Sequence, residues 1–281
     1  MPNEPRRSIL CPNCNKLVSA DERFCPHCGI SSPGAWWKNN LLTRRFLRAE
    51  QVIQTLVYVN AGMYLISLVL NPSNLTLSPN PFNFLSPGNK TLLLLGATGS
   101  IPIDLWHRWW TVVSANYLHG GILHILFNML ALWQIGPLVV REYGVHRMVT
   151  LYTLGGVIGF LVSYLAGVRL TLGASAAVCS LIGASLYYGK SRGGIYGQAV
   201  YRQIGGWVVA LFVFGLLVPG IDNWGHGGGI GAGIMLGFLL GYAERKRENI
   251  FHKGLAAACV FLTITVLVWA VASSCYYRLL G

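Results

Sequence analysis

Trp224-Gly225-His226-Gly227-Gly228-Gly229-Ile230-Gly231-Ala232-Gly233-Ile234-Met235-Leu236-Gly237-Phe238-Leu239-Leu240-Gly241-Tyr242-Ala243 is the stretch that decides the fold. It contains no charged side chain, and a run of about 20 such residues is what a helix needs to cross a bilayer. Glycines recur at 225, 229, 233, 237 and 241, a chain of overlapping G-x-x-x-G motifs. One helix face therefore lacks side chains, which lets a neighbouring helix approach closely. His226 lies next to that face at its outer end. A polar group inside a span is expensive and demands a reason.

Outward from this run the chain repeats the pattern. Apolar stretches at about 52–70, 117–140, 148–167, 174–189, 204–219 and 254–275 bring the total to seven predicted spans. Hydrophobic residues make up 53% of the 281 and charged residues 11%, against roughly 25% charged in a soluble domain. The nine acidic residues fall in the N-terminal tail or in short polar breaks, as a lipid environment requires. The break at 71–110 holds four prolines early and Trp106, Trp109 and Trp110 at its end; within it, 91–97 is too short to span and reads as interfacial.

The formal charge of +12 is not a nucleic-acid signature. Arg44, Arg45, Arg48, Arg141, Arg147, Lys190, Arg192, Arg202, Arg245, Lys246, Arg247 and Lys253 fall on one side of the seven spans. The positive-inside rule makes that side cytosolic, with the N-terminus in and the C-terminus out, and favours contact with anionic lipid. The first 40 residues contain no apolar h-region, so the first span is expected to act as the insertion signal.

Cys11-Pro-Asn-Cys14 is followed after ten residues by Cys25-Pro-His-Cys28-Gly29. Two C-x-x-C knuckles can close a tetrahedral thiolate shell around zinc. The segment is too small for a hydrophobic core, so metal binding would supply most of its folding energy. Disulfides or iron are the alternatives, and a cytosolic location argues against disulfides. The spacing resembles that of zinc ribbons. Cys11, Cys14, Cys25 and Cys28 are the predicted structural Zn ligands, and His27 is a bystander. The expected task of the ribbon is docking to a cytosolic protein partner or capping the first span.

Three polar groups inside spans carry the chemistry. In the second span, His124 and Asn128 are four residues apart and share a helix face, with His119 about a turn and a half earlier. Packing glue is the bland reading for either alone, but stacked donors suit developing negative charge. Gly173-Ala174-Ser175-Ala176-Ala177 opens the short fourth span after an external turn. That places Ser175 a little below the outer surface, at the depth of His226. If the fourth and sixth spans are partners, the imidazole can take the serine proton as general base. No H-E-x-x-H, no G-x-G-D and no aspartate within a span occurs, which disfavours metallo- and aspartyl mechanisms. No charged side chain lines a span, which leaves little behind a channel or transporter.

This pattern closely resembles the rhomboid family over roughly residues 50–243. The resemblance implies a G-x-S nucleophile at Ser175, a histidine base at His226 on the sixth core helix, and an oxyanion-stabilising pair at His124 and Asn128. Trp106-His107-Arg108-Trp109 loosely echoes the family's Trp-Arg loop signature. The seventh span is like the C-terminal addition of "6+1" members. Two positions depart: Ala176 where G-x-S-G has glycine, and Cys179 where members commonly place Tyr or Phe against the histidine.

The chain is accordingly expected to be an all-α polytopic transmembrane bundle. Residues 1–35 form a zinc ribbon, 36–51 a basic linker, 52–243 a six-helix core, and 244–281 a cytosolic loop with the seventh helix. The expected activity is serine-type endopeptidase cleavage of transmembrane or juxtamembrane segments of membrane-protein substrates, in a bacterial inner membrane, with no cofactor needed for catalysis. The alternative is a weak or inactive relative that binds transmembrane helices.

Overall fold

The computed structural model describes residues 8–12, 16–27, 29–35, 49–70, 76–77 and 84–280. They divide into two compact units, Met1–Gln54 and Thr55–Gly281. In the first, β1 (Ser8–Leu10) pairs antiparallel with β2 (Leu17–Ser19), and a second turn is closed by the bridge between Phe24 and Ser31.

The rest is built from helices. They are α1 (Ala49–Leu70), the short α2 (Asn89–Leu95), α3 (Ile122–Tyr143), α4 (Val145–Leu165), α5 (Ser175–Arg192), α6 (Gly194–Leu217), α7 (Asn223–Leu240) and α8 (Ile250–Leu280). A small hairpin of β3 (Thr76–Leu77) and β4 (Phe84–Ser86) precedes α2. All seven predicted spans are thus long helices, and 91–97 falls on α2. Five of them, α1, α3, α4, α6 and α8, are apolar and long enough to cross a membrane on composition alone.

The two that are not, α5 and α7, are 18 residues each, about 27 Å at the helical rise. Their low apolarity has a structural cause. Nearly every side chain of α5 before Lys190 faces protein, so Ser180 and Ser185 meet backbone carbonyls instead of lipid. Glycine dilutes α7, whose Ile234, Met235, Phe238 and Leu239 point outward while Leu236 and Leu240 are buried. A Cβ on Gly229 would strike the Ala176 carbonyl, and one on Gly233 the Ser180 carbonyl. These pairings rise together along both helices, so α5 and α7 run parallel with their backbones in contact. The glycine face predicted from sequence meets the serine-bearing helix.

Boundaries differ from expectation at several helix ends, among them α8, which runs from Ile250 to Leu280 against the expected 254–275. The span predicted from 117 starts at Ile122, because 115–117 form a single 3-10 turn and Gly120-Gly121 separates it from the helix. The span predicted from 204 belongs to a helix that begins at Gly194; its first turns carry Gln198, Arg202 and Gln203 and extend beyond the apolar stretch.

Among the described residues one charged side chain other than histidine is fully buried, Arg147, just outside the span predicted over 148–167. Arg147, at the start of α4, donates to the Tyr143 carbonyl at 3.0 Å and the Lys246 carbonyl at 2.5 Å, so it caps the end of α3. The reciprocal end is capped across sequence. Glu248 accepts the backbone N–H groups of His146 at 3.1 Å and Arg147 at 3.3 Å, and pairs with His146 Nδ1 at 2.9 Å. A carboxylate at a helix N-terminus satisfies orphan donors and complements the macrodipole. Gly144 between the helices has φ +88°, and a Cβ there would stand 2.6 Å from Glu248 Oε1.

Burial pushes the Glu248 carboxyl up, but the hydrogen bond and electrostatic pull of His146, followed by the N–H and charge of Arg147, outweigh it and hold it below the usual carboxylate range. A depressed carboxylate contributes stability that is present above its unfolded value of about 4.3 and is lost as pH falls through the lower folded value. Glu248→Gln is therefore expected to cost about 1 kcal/mol at pH 7. It should also flatten the acid limb of the thermal midpoint below about pH 4.3, measured in detergent. An unchanged acid limb would show that Glu248 does not cap α4.

Candidate active site

Ser175 is the first residue of α5, half-buried, behind Gly173 and Ala174. Gly173 has φ +130°, a conformation that glycine permits, and its N–H is held by the Ala115 carbonyl at 2.8 Å. The first bond into the helix runs from Val178 N–H to the Ala174 carbonyl. The N–H groups of Ser175, Ala176 and Ala177 precede it, so they belong to the orphan donors of a helix start. Such a terminus favours negative charge.

His124 faces this point. Its Nδ1 accepts the Gly120 N–H at 3.3 Å, and an imidazole nitrogen that accepts carries no proton, which assigns the proton of the neutral ring to Nε2. That Nε2 lies 2.6 Å from the place where a Gly173 Cβ would stand, and Ser175 Oγ lies 3.5 Å from the same place. One turn along, the Asn128 amide donates to the His124 carbonyl at 2.8 Å, and the second amide hydrogen is left for another acceptor. Asn128 is buried. His119, expected on the same helix near the surface, sits instead in the turn before α3. It is fully buried, its ring lies edge-on to His124 at 5.1 Å, and neither of its nitrogens is hydrogen-bonded. It backs His124 and does not line the serine.

His226 occupies the first turn of α7, half-buried, with its backbone N–H on the Asp222 carbonyl at 3.0 Å. Asp222 is the helix cap. Its carboxylate accepts the Gly225 N–H at 2.8 Å and the Ser163 hydroxyl. That commitment leaves the imidazole without an orienting carboxylate, and His226 Nδ1 is buried with no partner. No hydrogen bond joins His226 to Ser175 in this structure. What relates the two is the register of α5 against α7. Ala176 stands opposite Gly229, so Ser175 and His226 fall at the same end of the two helices.

In the N-terminal unit, Cys11 and Cys25 are buried in one small cluster with Val18. Each opens a tight turn: Cys11 N–H bonds the Lys16 carbonyl at 2.9 Å, and Cys25 N–H bonds that of Ile30 at 2.8 Å. Gly29, with φ +72°, donates back to the Cys25 carbonyl. Cys14 and Cys28 lie outside the described residues, and no group of three metal-ligating side chains occurs among the described ones. Two thiols buried together, each beginning a knuckle turn, fit a structural metal.

Residues 106–243 match the family model of the rhomboid domain, and residues 10–31 that of a zinc-ribbon domain. Residues 106–243 are a rhomboid domain. The chain is 32% identical to "Rhomboid protease GluP" of Bacillus subtilis over 181 residues, 64% of this chain and 35% of that one. It is 35% identical to "RHOMBOID-like protein 4" of Arabidopsis thaliana over 147 residues, 52% and 37% of the two chains. It is 30% identical to "Rhomboid-like protease 3" of Toxoplasma gondii over 152 residues, 54% and 49%. The chain thus spans half or less of the length of these relatives.

Within the rhomboid domain the two departures have physical explanations. The extra methyl of Ala176 is accommodated by Gly159 on α4, whose Cβ would stand 3.1 Å from it. Cys179 is buried against Gly229, with 3.0 Å between its Cβ and a Cβ placed there, a gap that holds no aromatic ring. Gly120 and Gly159 escaped the sequence reading of the site. Gly155-Gly156-x-x-Gly159 carried a small-residue signal, whereas a backbone N–H donor such as that of Gly120 carries none.

Gly159→Val is expected to push α4 off α5, lowering the thermal midpoint and abolishing labelling by a serine-reactive fluorophosphonate. Gly159→Val paired with Ala176→Gly should recover part of both. Labelling of Gly159→Val equal to wild type would show that the contact does not shape the site.

Proposed function

We propose that this chain is an intramembrane serine endopeptidase that cleaves transmembrane or juxtamembrane segments of membrane-protein substrates through a Ser175–His226 dyad. The observation that carries the reading is the convergence at Gly173, where the Nε2–H of His124 and the Oγ of Ser175 border one small space beside an uncapped helix start. A tetrahedral oxyanion formed there meets its donors already in place, the arrangement that contributes most to acyl-transfer catalysis.

In this scheme Ser175 Oγ attacks the scissile carbonyl. His226 accepts the serine proton and passes it to the leaving amine, and water then releases the acyl group with the same histidine as base. His124, Asn128 and backbone N–H near Ser175 hold the oxyanion. His226 is oriented by packing alone, since Asp222 serves the helix cap. The parallel register of α5 and α7 supports the dyad, because it brings Ser175 and His226 to the same level of two helices in backbone contact.

The basic residues between spans favour a bacterial inner membrane with the N-terminus cytosolic, which sets the site below the outer leaflet. Cys11, Cys14, Cys25 and Cys28 would hold one structural Zn²⁺, which supplies folding energy to the ribbon and no catalytic chemistry. The ribbon itself would dock a cytosolic protein.

Ser175→Ala and His226→Ala are each expected to abolish cleavage of a model transmembrane substrate in proteoliposomes at unchanged protein level. His124→Ala should lower the rate roughly 100- to 1,000-fold. Cleavage at the wild-type rate by either dyad variant would refute the mechanism. For the ribbon, elemental analysis of purified chain is expected to find zinc, lost in Cys11→Ser/Cys25→Ser with cleavage retained.

A further inference from the structure

We propose that the end of the bundle opposite Ser175 carries a binding site for a phosphate-bearing group, the headgroup phosphate of an anionic phospholipid, in the cleft between α5 and α6. The inference does not depend on the proteolytic reading. The cleft encloses about 230 Å³ and is lined by Gly189, Lys190, Gly193, Gln198, Tyr201 and Arg202. Its volume is below the range of organic-ligand pockets, which suits a compact anion.

Its electrostatics are one-sided. No carboxylate lines it, and among the described residues neither Lys190 nor Arg202 takes part in an ion pair. The nearby acids are already engaged: Glu142 with Arg141 at 2.7 Å, and Glu244 with Arg192 at 3.0 Å. Lys190 Nζ is held over the Tyr201 ring at 5.7 Å, which positions the ammonium without neutralising it. Gln198 adds an amide donor. Gly193, immediately before α6, lines the same cleft, and that helix start has no side-chain cap and no acidic residue in its first turn, which favours a nearby anion.

Shape and depth point to lipid. A Cβ on Gly189 would stand 2.7 Å from Tyr201 N and 2.9 Å from the Gly197 carbonyl, so α6 lies directly on α5 and forms the floor. Gly193 and Gly194, both at positive φ, have open space around them and leave the mouth clear. Lys190 ends the apolar run of α5, and Ile204 starts that of α6, which sets the cleft at the level of the headgroups. Ile195 beside it is 93% exposed, an apolar side chain suited to acyl chain and not to water. Basic clefts between spanning helices at the cytosolic face are sites for anionic headgroups.

The test is native mass spectrometry of the full chain in detergent, titrated with phosphatidylglycerol or phosphatidylcholine, for wild type, Lys190→Gln/Arg202→Gln, and the charge-preserving Lys190→Arg/Arg202→Lys. The wild type is expected to bind one phosphatidylglycerol in preference to phosphatidylcholine. The neutralised variant should bind it roughly tenfold or more weakly, and the charge-preserving variant should stay close to wild type. Inorganic phosphate at millimolar concentration should displace little lipid. If it displaces phosphatidylglycerol fully, the ligand is free phosphate and the lipid assignment falls. Equal phosphatidylglycerol affinity in wild type and the neutralised variant overturns the site. So does an equal loss in Arg245→Gln/Lys253→Gln, which removes the same charge elsewhere on that end. A thermal midpoint like that of wild type confirms that the variants are folded.

Discussion

Backbone contact between α5 and α7 is the constraint on which the rest depends. Inside a bilayer no hydrophobic effect draws helices together, because lipid is as apolar as any side chain. Close packing must do so, and the closest packing is available only where side chains are missing. Gly229 and Gly233 give up their faces to the carbonyls of Ala176 and Ser180, and Gly159 on α4 completes the same seam from the other side. The register so fixed sets Ser175 and His226 on one rim. The same glycines lower the hydropathy of α7, so a helix central to the fold is not among those that composition alone marks as spans.

The polar groups at the Ser175 end of the bundle are unevenly committed. His124 is locked: its Nδ1 is occupied by Gly120 and its ring is backed by His119. Asn128 is tied to the same turn. His226, in contrast, has a buried ring nitrogen with no hydrogen-bond partner. A base that lacks an orienting group depends on the shape of its pocket for alignment. That places weight on residues that act through packing, such as Cys179 and Ala176. A site whose donors are fixed and whose base is held by packing separates the electrostatic part of the chemistry from the proton transfer.

Much of this was legible in the sequence, and the failures are instructive. Apolar runs located every long helix because lipid demands them, and the G-x-x-x-G ladder named the face that α5 would meet. Helix starts were less visible. α6 begins at Gly194 because a helix can continue in polar residues past the hydrocarbon, where hydropathy no longer reports it. His119 reads as part of a helix by spacing, yet Gly120 and Gly121 break the helix after it. Arg147 looked like one more cytosolic charge, since sequence shows a residue's neighbours along the chain and not the distant carbonyl of Lys246 that receives it. Glu248 capping α4 from about a hundred residues away is invisible for the same reason. The ribbon was the reverse case: C-x-x-C spacing carried its whole signal, and Cys14 and Cys28 lie outside the described residues.

The two ends of the bundle solve opposite problems with the same few residue types. At the end away from Ser175, Arg147 and Glu248 cap facing helix termini, and Tyr143, Tyr187, Tyr188 and Tyr242 stack edge to face near them. Both charges reach backbone groups, which pins the α3–α4 junction to the segment before α8. At the end that carries Ser175, the start of α5 keeps backbone donors unsatisfied and the first turn of α7 an imidazole nitrogen. Unsatisfied groups are costly in a low-dielectric interior. They persist only where surrounding structure holds them open, and the pinned α3–α4 junction together with the α5–α7 seam supplies that restraint. Rigidity at one face is what lets the other keep reactive groups in reserve.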